Sequence, residues 1–266
     1  ADIALQELSV TATENAMMLA AGMPGKTVIR VAAAEPHVED LGRFLTKMGA
    51  QVSGLGTHVI EIEGTDRLGG ADHTVIPDAN EAATFLILGV ASGSPITVHG
   101  AREHHLDLVL EKLREFGADF RISGEDITVV PADTLRAVAK VETRTYPGIP
   151  TDIQAPLGVL ATQAKGETLI FDTLFEGRFN YVSELQKMRA NATVLNPHQV
   201  LFRGPSKLRG TAIRSFDLRS GVALIIAALV AEGTTVIEEA YQVDRGYERI
   251  EERLSALGAD IRRESE

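Results

Sequence analysis

Three short segments carry acids and cations in arrangements that could hold an anion and move a proton. Asp152 lies in Pro150-Thr-Asp-Ile-Gln-Ala-Pro156, where two prolines restrict the backbone on either side of a carboxylate. A carboxylate on a stiff loop suits a general base, yet a Thr-Asp pair is also an ordinary helix N-cap, and spacing alone favours the cap. Asp217 and Arg219, in Ser215-Phe-Asp-Leu-Arg-Ser220, set an acid and a cation two positions apart before the most apolar segment of the chain. Burial there requires that both charges be paired or hold a ligand. Arg245, in Asp244-Arg-Gly-Tyr-Glu-Arg249, is a cation beside open backbone, equally suited to a ligand and to a solvated pair with Asp244 or Glu248.

Other chemistries find no support. His104 and His105 are adjacent and cannot share a helical face as a zinc pair would. Cysteine is absent, which removes thiol catalysis. No phosphate-binding Gly-Lys loop, dinucleotide fingerprint or nucleophile elbow occurs. The expectation is no metal and no cofactor.

The elements that must position these residues repeat four times. A glycine between an apolar helix and a short strand recurs at Gly25, Gly93, Gly166 and Gly233, intervals of 68, 73 and 67 residues. A second marker keeps step at the end of an amphipathic helix: Met48-Gly-Ala50, Phe116-Gly-Ala118, Met188-Arg-Ala190 and Leu257-Gly-Ala259. Segments apolar on every side, Ala83 to Val90 and Val222 to Ala231, read as buried helices ended by glycine. Leu106, Val109, Leu110, Leu113 and Phe116 mark one face of an amphipathic helix, as do Tyr247, Ile250, Leu254 and Leu257. Alternating runs such as His58 to Glu63 and Asp126 to Val130 read as strands. The fold class is therefore α/β (α+β), built from repeated βαβαββ units around buried helices. Each buried helix has a capping residue at its start: Thr11 or Thr13, Asp78, Asp152 and Asp217. Such starts either cap their own helices or together form an anion site, and spacing favours capping. The last copy, ending Ile261-Arg-Arg-Glu-Ser-Glu266, lacks a closing strand and leaves a sheet edge to be filled from elsewhere. The chain divides into 1–68, one copy, and 69–266, three copies, with Arg67-Leu-Gly-Gly70 as hinge.

Composition sets outer bounds. With 266 residues, 44% hydrophobic and 24% charged, the chain can bury a core as one or two domains. Its longest apolar run, Val222 to Ala231, falls well short of the roughly 20 residues a membrane helix needs. Acids outnumber bases 37 to 26, a net charge of −11, which disfavours nucleic acid and anionic lipid as partners. A cytoplasmic location is expected.

Ser9-Val-Thr-Ala-Thr-Glu-Asn15, Pro150-Thr-Asp-Ile-Gln-Ala155, Phe175-Glu-Gly-Arg-Phe179 and Asp244-Arg-Gly-Tyr-Glu-Arg-Ile-Glu251 resemble the enolpyruvyl transferases that act on UDP-N-acetylglucosamine, in register from about Leu8 to Arg262. The resemblance implies an inside-out α/β barrel of two three-unit domains with the active site in the cleft between them. This sequence would correspond to the C-terminal two thirds of such a protein, an N-terminally truncated member. Copies two to four would form one domain, and copy one the last third of the other. In the family, an N-terminal strand crosses over to complete the last unit. The implied reaction transfers the enolpyruvyl group of phosphoenolpyruvate to the sugar 3-hydroxyl and releases phosphate, a step of peptidoglycan precursor synthesis. It runs by addition and elimination through a tetrahedral intermediate.

By the same resemblance, Asp152 matches the aspartate that meets the sugar 3-hydroxyl and takes its proton, and Asp217 an acid beside the reacting carbon. Leu8, Ser9 and Val10 match the diphosphate loop, and Leu174 the uridine pocket. Arg219 and Arg245 match arginines on the phosphoenolpyruvate side, where a planar guanidinium suits a carboxylate or phosphate, and Arg178 is a further cation facing the cleft. Two departures stand out: Glu7 occupies a position often basic in the family, and Arg189 replaces the glycine of the other copies. The family's N-terminal lysine and asparagine and its mobile Cys- or Asp-bearing loop have no counterpart here, so this chain alone is expected not to turn over. Two alternatives remain: the sister reaction on shikimate 3-phosphate, with which Pro77 to Phe85 is equally compatible, and a noncatalytic nucleotide-sugar binding protein.

Overall fold

A computed structural model describes residues 1–264. Its elements fall into two compact units, Ala1–Pro77 with Thr145–Gly148, and Asp78–Arg144 with the chain from Ile149 onward.

The first unit holds β1 (Asp2–Ala4), α1 (Val10–Ala21), β2 (Gly25–Arg30), α2 (Pro36–Lys47), β3 (Gln51–Ser53) and β4 (Val59–Gly64). The strands form one sheet in the order β1-β2-β4-β3, with β1 parallel to β2 and the other pairs antiparallel. The alternation in Val59–Gly64 turns Ile60 and Ile62 inward, where they pack with Met17 of α1 and Val38 and Leu45 of α2. Residues 69–77 belong to this unit through contacts with α2. Gly69 N donates to Met48 O (2.8 Å), Lys47 Nζ to Asp72 O (3.0 Å), and the His73 imidazole lies 3.0 Å from the Asp40 carboxylate.

The second unit repeats this pattern around three buried helices. They are α3 (Ala79–Ser92), α5 (Gln154–Gln163) and α7 (Leu218–Leu229), and each packs on the other two. Leu86, Ile87, Leu157, Leu160 and Leu224 fill the centre. No polar stripe is left on these helices because every side faces protein. Outside them lie three sheets. The first contains β5 (Thr97–Val98), β6 (Asp119–Ser123) and β7 (Asp126–Val130) in the order β5-β7-β6. The second contains β8 (Lys140–Thr143), β9 (Gly166–Asp172), β10 (Asn191–Asn196) and β11 (Gln199–Gly204) in the order β8-β9-β11-β10. The third pairs β12 (Ala212–Arg214) with β13 (Val236–Glu238) in parallel. Amphipathic helices α4 (Asp107–Phe116), α6 (Asn180–Lys187) and α8 (Ile250–Ala256) complete the copies.

The βαβαββ unit is thus whole in copies one and three. Among the described residues, copy two lacks the leading strand that pairs in parallel elsewhere, and copy four lacks both closing strands. Leu257, expected on the buried face of the last amphipathic helix, is 57% exposed. It is the C-cap of α8, in a copy that has no closing strands among the described residues.

The first glycine marker has positive φ in every copy, 103°, 64°, 121° and 91° at Gly25, Gly93, Gly166 and Gly233, although its place relative to the helix end varies. Only Gly93 caps a buried helix, in the left-handed conformation, whereas α1 is capped by Gly22 and α7 by Val230, with Gly25 and Gly166 opening strands instead. The second marker is conformational throughout. Gly49, Gly117 and Gly258 have φ of 116°, 111° and 99°, and Arg189 is forced to 74° at the same place. A side chain there strains the backbone by about 1 kcal/mol. Arg189→Gly is therefore expected to stabilise the second unit by about that much, read as a rise in the urea unfolding midpoint; an unchanged or lower midpoint would contradict the strain.

The end of the described chain is held electrostatically. Arg263 reaches Asp244 through both Nη atoms (2.7 and 2.6 Å) and Glu251 through Nε (3.0 Å). The hydrogen bond from Arg263 lowers the Asp244 pKa against the opposing effect of partial burial. A carboxyl lowered on folding adds stability above its unfolded value near 3.8, and loses it as pH falls through the lower folded value. Arg263→Gln should raise the Asp244 titration midpoint toward that value, seen by carboxyl NMR, with the difference in stability vanishing in stronger acid.

Candidate functional site

The heads of α5 and α7 bring together three of the sequence candidates. Thr151–Ile153 forms a single 3-10 turn ahead of α5, and its Asp152 does not cap the helix. The N-cap of α5 is Ile153, without a side-chain bond, which corrects the capping reading. The reason is competition from guanidinium groups. Asp152 Oδ1 accepts from Arg178 Nη1 (3.0 Å), while Oδ2 accepts from Arg219 Nε (3.1 Å) and lies 3.1 Å from Arg219 Nη2. Charge-assisted bonds of this kind are about twice as strong as the neutral ones a cap would offer. The three side chains are 31%, 41% and 19% exposed for Asp152, Arg178 and Arg219, so the carboxylate stays open to a ligand while Arg219 lies deep.

Arg219 is fixed from behind. Its guanidinium lies 5.6 Å from the centre of the buried Tyr247 ring and its Nη1 donates to Tyr247 Oη (3.1 Å). Thr84 Oγ1 lies 2.8 Å from Tyr247 Oη and also donates to Asn80 O (2.8 Å). The directions follow: Thr84 spends its proton on Asn80, so Tyr247 accepts from Arg219 and donates to Thr84. Burial raises the Tyr247 pKa against the pull of Arg219, keeping the phenol neutral for this relay. Burial disfavours the Arg219 charge, but Tyr247 and Asp152 outweigh it and hold the guanidinium above its ordinary range.

Arg178 stands on the loop after β9. Its guanidinium covers the Phe175 ring at 4.3 Å and donates to Thr151 Oγ1 (3.3 Å). Its carbonyl accepts from Gln154 Nε2 (2.9 Å), and Gln154 Oε1 accepts from the fully buried Tyr181 hydroxyl (3.0 Å). Burial, with the Asp172 charge adding to it, pushes Tyr181 far up, so it too remains a neutral donor. Leu174 and Phe175 are exposed on the same loop.

The remaining candidates are held by other contacts. Asp217 is the N-cap of α7 in a full capping box: Oδ1 accepts from Arg219 N and Ser220 N (2.8 Å each), and Ser220 Oγ accepts from Asp217 N (3.1 Å). Here the capping reading holds. Arg245 ends the 3-10 segment Ala240–Arg245 and is exposed. The solvated pairs weighed for it do not form, because Asp244 is taken by Arg263 and Glu248 lies beside Arg249. Arg245 has no carboxylate partner among the described residues. Gly246 lets this segment approach α7, since a Cβ there would lie 2.7 Å from Leu218 Cδ1.

Leu8, Ser9 and Val10 lie half-buried at the start of α1 in the first unit. The cap there is Ser9, whose Oγ accepts from Ala12 N (3.3 Å), rather than Thr11 or Thr13. Thr13 is buried and braces the turn instead, donating to Ser9 O (2.7 Å) and accepting from Ala33 N (2.9 Å).

Thr151, Gln154, Asp172, Tyr181 and Tyr247 belong to the site's support, and the sequence reading gives none of them a part in it; its period places Tyr247 on the face of the last amphipathic helix, which starts only at Ile250. One signal was available for Asp172, a carboxylate closing the apolar run Leu169-Ile-Phe171. Among the described residues no group of three or more His, Cys, Asp or Glu could hold a metal ion.

The class of protein follows from the fold. The chain superposes on the crystal structure of the enolpyruvyl transferase NikO from Streptomyces tendae with a TM-score of 0.86 and 28% identity, over 95% of this chain and 60% of that one. The EPSP synthase of Acinetobacter baumannii shares the fold, with a TM-score of 0.71 at 19% identity. Residues 1–254 match the EPSP synthase (3-phosphoshikimate 1-carboxyvinyltransferase) family, and the chain belongs to it. Among curated relatives it is similar to the UDP-N-acetylglucosamine 1-carboxyvinyltransferases of Koribacter versatilis, 42% identical, and Halothermothrix orenii, 45% identical. These alignments cover 98% and 99% of this chain but 60% and 63% of the relatives, so the chain spans about three fifths of their length.

Proposed function

We propose that the protein carrying this chain transfers the enolpyruvyl group of phosphoenolpyruvate to the 3-hydroxyl of UDP-N-acetylglucosamine, in the cytoplasm, as a step of peptidoglycan precursor synthesis. The observation that supports it best is the Asp152 carboxylate between Arg178 and Arg219, in a chain whose relatives carry that activity in their names. Among the described residues no helix is long and apolar enough to cross a membrane.

In this reading, the sugar oxygen O3 bonds to C2 of phosphoenolpyruvate, its proton passes to Asp152, and C3 gains a proton from an acid. Elimination then breaks the C2–O bond to phosphate and returns a proton from C3, leaving the enol ether. Both Asp152 oxygens accept from guanidinium groups, and an incoming phosphate or carboxylate that draws Arg178 or Arg219 away would leave one of them open to the O3 proton. Arg219 and the unpaired Arg245 supply charge for that anion, where fixed cations stabilise the intermediate. Asp217 stands at the head of α7 as an acid for the reacting carbon. Leu174 borders the uridine, and Leu8, Ser9 and Val10, with the free amides of α1, hold the diphosphate. In this reading the chain from Asp78 onward, built around three buried helices, is a domain of three copies, and the first unit is one copy of another.

The family's description favours shikimate 3-phosphate as the rival acceptor. Calorimetric titration of the intact protein separates the two. Saturable heat with UDP-N-acetylglucosamine and none with shikimate 3-phosphate is expected, and the reverse would overturn the assignment. Binding without phosphate release would favour the noncatalytic nucleotide-sugar reading.

A further inference from the structure

We infer that Asp172 is the positioning residue of this site, a buried carboxylate that sets the Asp152 turn and the Leu174–Arg178 loop in register. Asp172 ends β9 and is wholly buried, with no cation in contact among the described residues. A carboxylate so placed must be satisfied by hydrogen-bond donors, and it is. Oδ1 accepts from Thr143 Oγ1 (3.0 Å), Leu174 N (3.0 Å) and Phe175 N (3.1 Å). Oδ2 accepts from the Thr151 hydroxyl. One side chain therefore binds the end of β8, the residue before Asp152, and the two residues that open the loop bearing Arg178.

The bridge continues outward through Thr151. With its proton given to Asp172, the Thr151 oxygen offers a lone pair to Arg178 Nη1 (3.3 Å), and the same nitrogen donates to Asp152 (3.0 Å). Asp172 thus fixes the direction of the Thr151 hydroxyl, and the hydroxyl helps aim Arg178 at the carboxylate. The loop's far side is tied independently: His198 Nδ1 lies 2.8 Å from Asp172 O, and Gly177 N donates to Pro197 O (3.0 Å). What the Asp172 carboxylate adds is the link between the acid turn and the loop.

This inference rests on the proposed reaction, and the test separates the two. Thr151→Val removes only the bridging hydroxyl, and in the intact protein it should lower kcat about tenfold with the KM for UDP-N-acetylglucosamine within about twofold. Its melting temperature should stay near the parent's. Asp172→Asn keeps one oxygen for the two loop amides and turns an amide toward Thr151, whose hydroxyl can rotate to accept, so it should retain most activity. Asp172→Ala should lose more than about a hundredfold in kcat/KM. Full activity in Thr151→Val, or an Asn variant as impaired as Ala, would overturn the inference. If the parent protein turns over neither acceptor, the reaction assignment fails, and NMR of the Arg178 guanidinium in the substrate-free protein decides instead. Rotation hindered in the parent and freed by Thr151→Val supports the positioning role, and identical rotation overturns it.

Discussion

Replacing Asp152 by asparagine in the intact protein is expected to slow phosphate release from UDP-N-acetylglucosamine and phosphoenolpyruvate by about a thousandfold, within the range for loss of a general base. The affinity for the nucleotide sugar should weaken by less than about tenfold, because the uridine and diphosphate contacts proposed for Leu174 and for Leu8 to Val10 remain. The variant also breaks a balance. Arg178 and Arg219 together meet one carboxylate, and an amide accepts from only one of them while turning its own N–H groups toward the other. Removing the carboxylate leaves the deep-lying Arg219 charge without that partner, so a fall in melting temperature should accompany the loss of rate. Rapid-quench kinetics and calorimetry on the same samples separate these effects. Retention of more than a tenth of the parental kcat would remove Asp152 from the proton transfer.

The second large effect concerns the fold. Gly64 closes β4 directly against the end of α1, and a Cβ there would lie 2.0 Å from Ala20 O and 2.2 Å from Met23 O. Both are backbone atoms and cannot swing aside as a side-chain tip could. Gly64→Ala should destabilise the first unit by about 3 kcal/mol, seen as lost amide protection in β2 and β4. Gly204 meets α5 in the same way, with Ala164 O 2.3 Å from its Cβ position, and both glycines face a strand-opening glycine, Gly25 and Gly166, across the sheet. The repeat thus preserves a close approach of strand to helix as well as a spacing in the chain. A Gly64→Ala protein as stable as the parent would show that α1 can withdraw, contrary to this packing.

Period and composition made the larger elements legible. Residues apolar on every side can only be a helix enclosed by protein, and α3 and α7 are; the one-sided pattern from Leu106 to Phe116 gave α4. What periodicity cannot carry is the choice among nearby polar groups. Ser9 caps α1 while Thr13 turns inward to Ala33, and nothing in Ser9-Val-Thr-Ala-Thr13 separates the two roles. Asp152 and Asp217 look alike as caps, yet one caps and the other binds arginines. That outcome depends on Arg219, 67 residues away, reaching across from another helix. Asp172 illustrates the same limit: its importance lies in four donors from three segments, which only the fold assembles. Leu257 misled in the opposite way, since its period placed it on a buried face that the two-stranded sheet of copy four does not cover.

The most direct measurement is proton NMR of the acceptor after incubating the intact protein with phosphoenolpyruvate and either UDP-N-acetylglucosamine or shikimate 3-phosphate. The expected result is a pair of vinyl proton signals on the UDP-sugar, with one phosphate released per enol ether formed and no change in shikimate 3-phosphate. Vinyl signals on shikimate 3-phosphate alone, or on neither acceptor, would contradict the assignment.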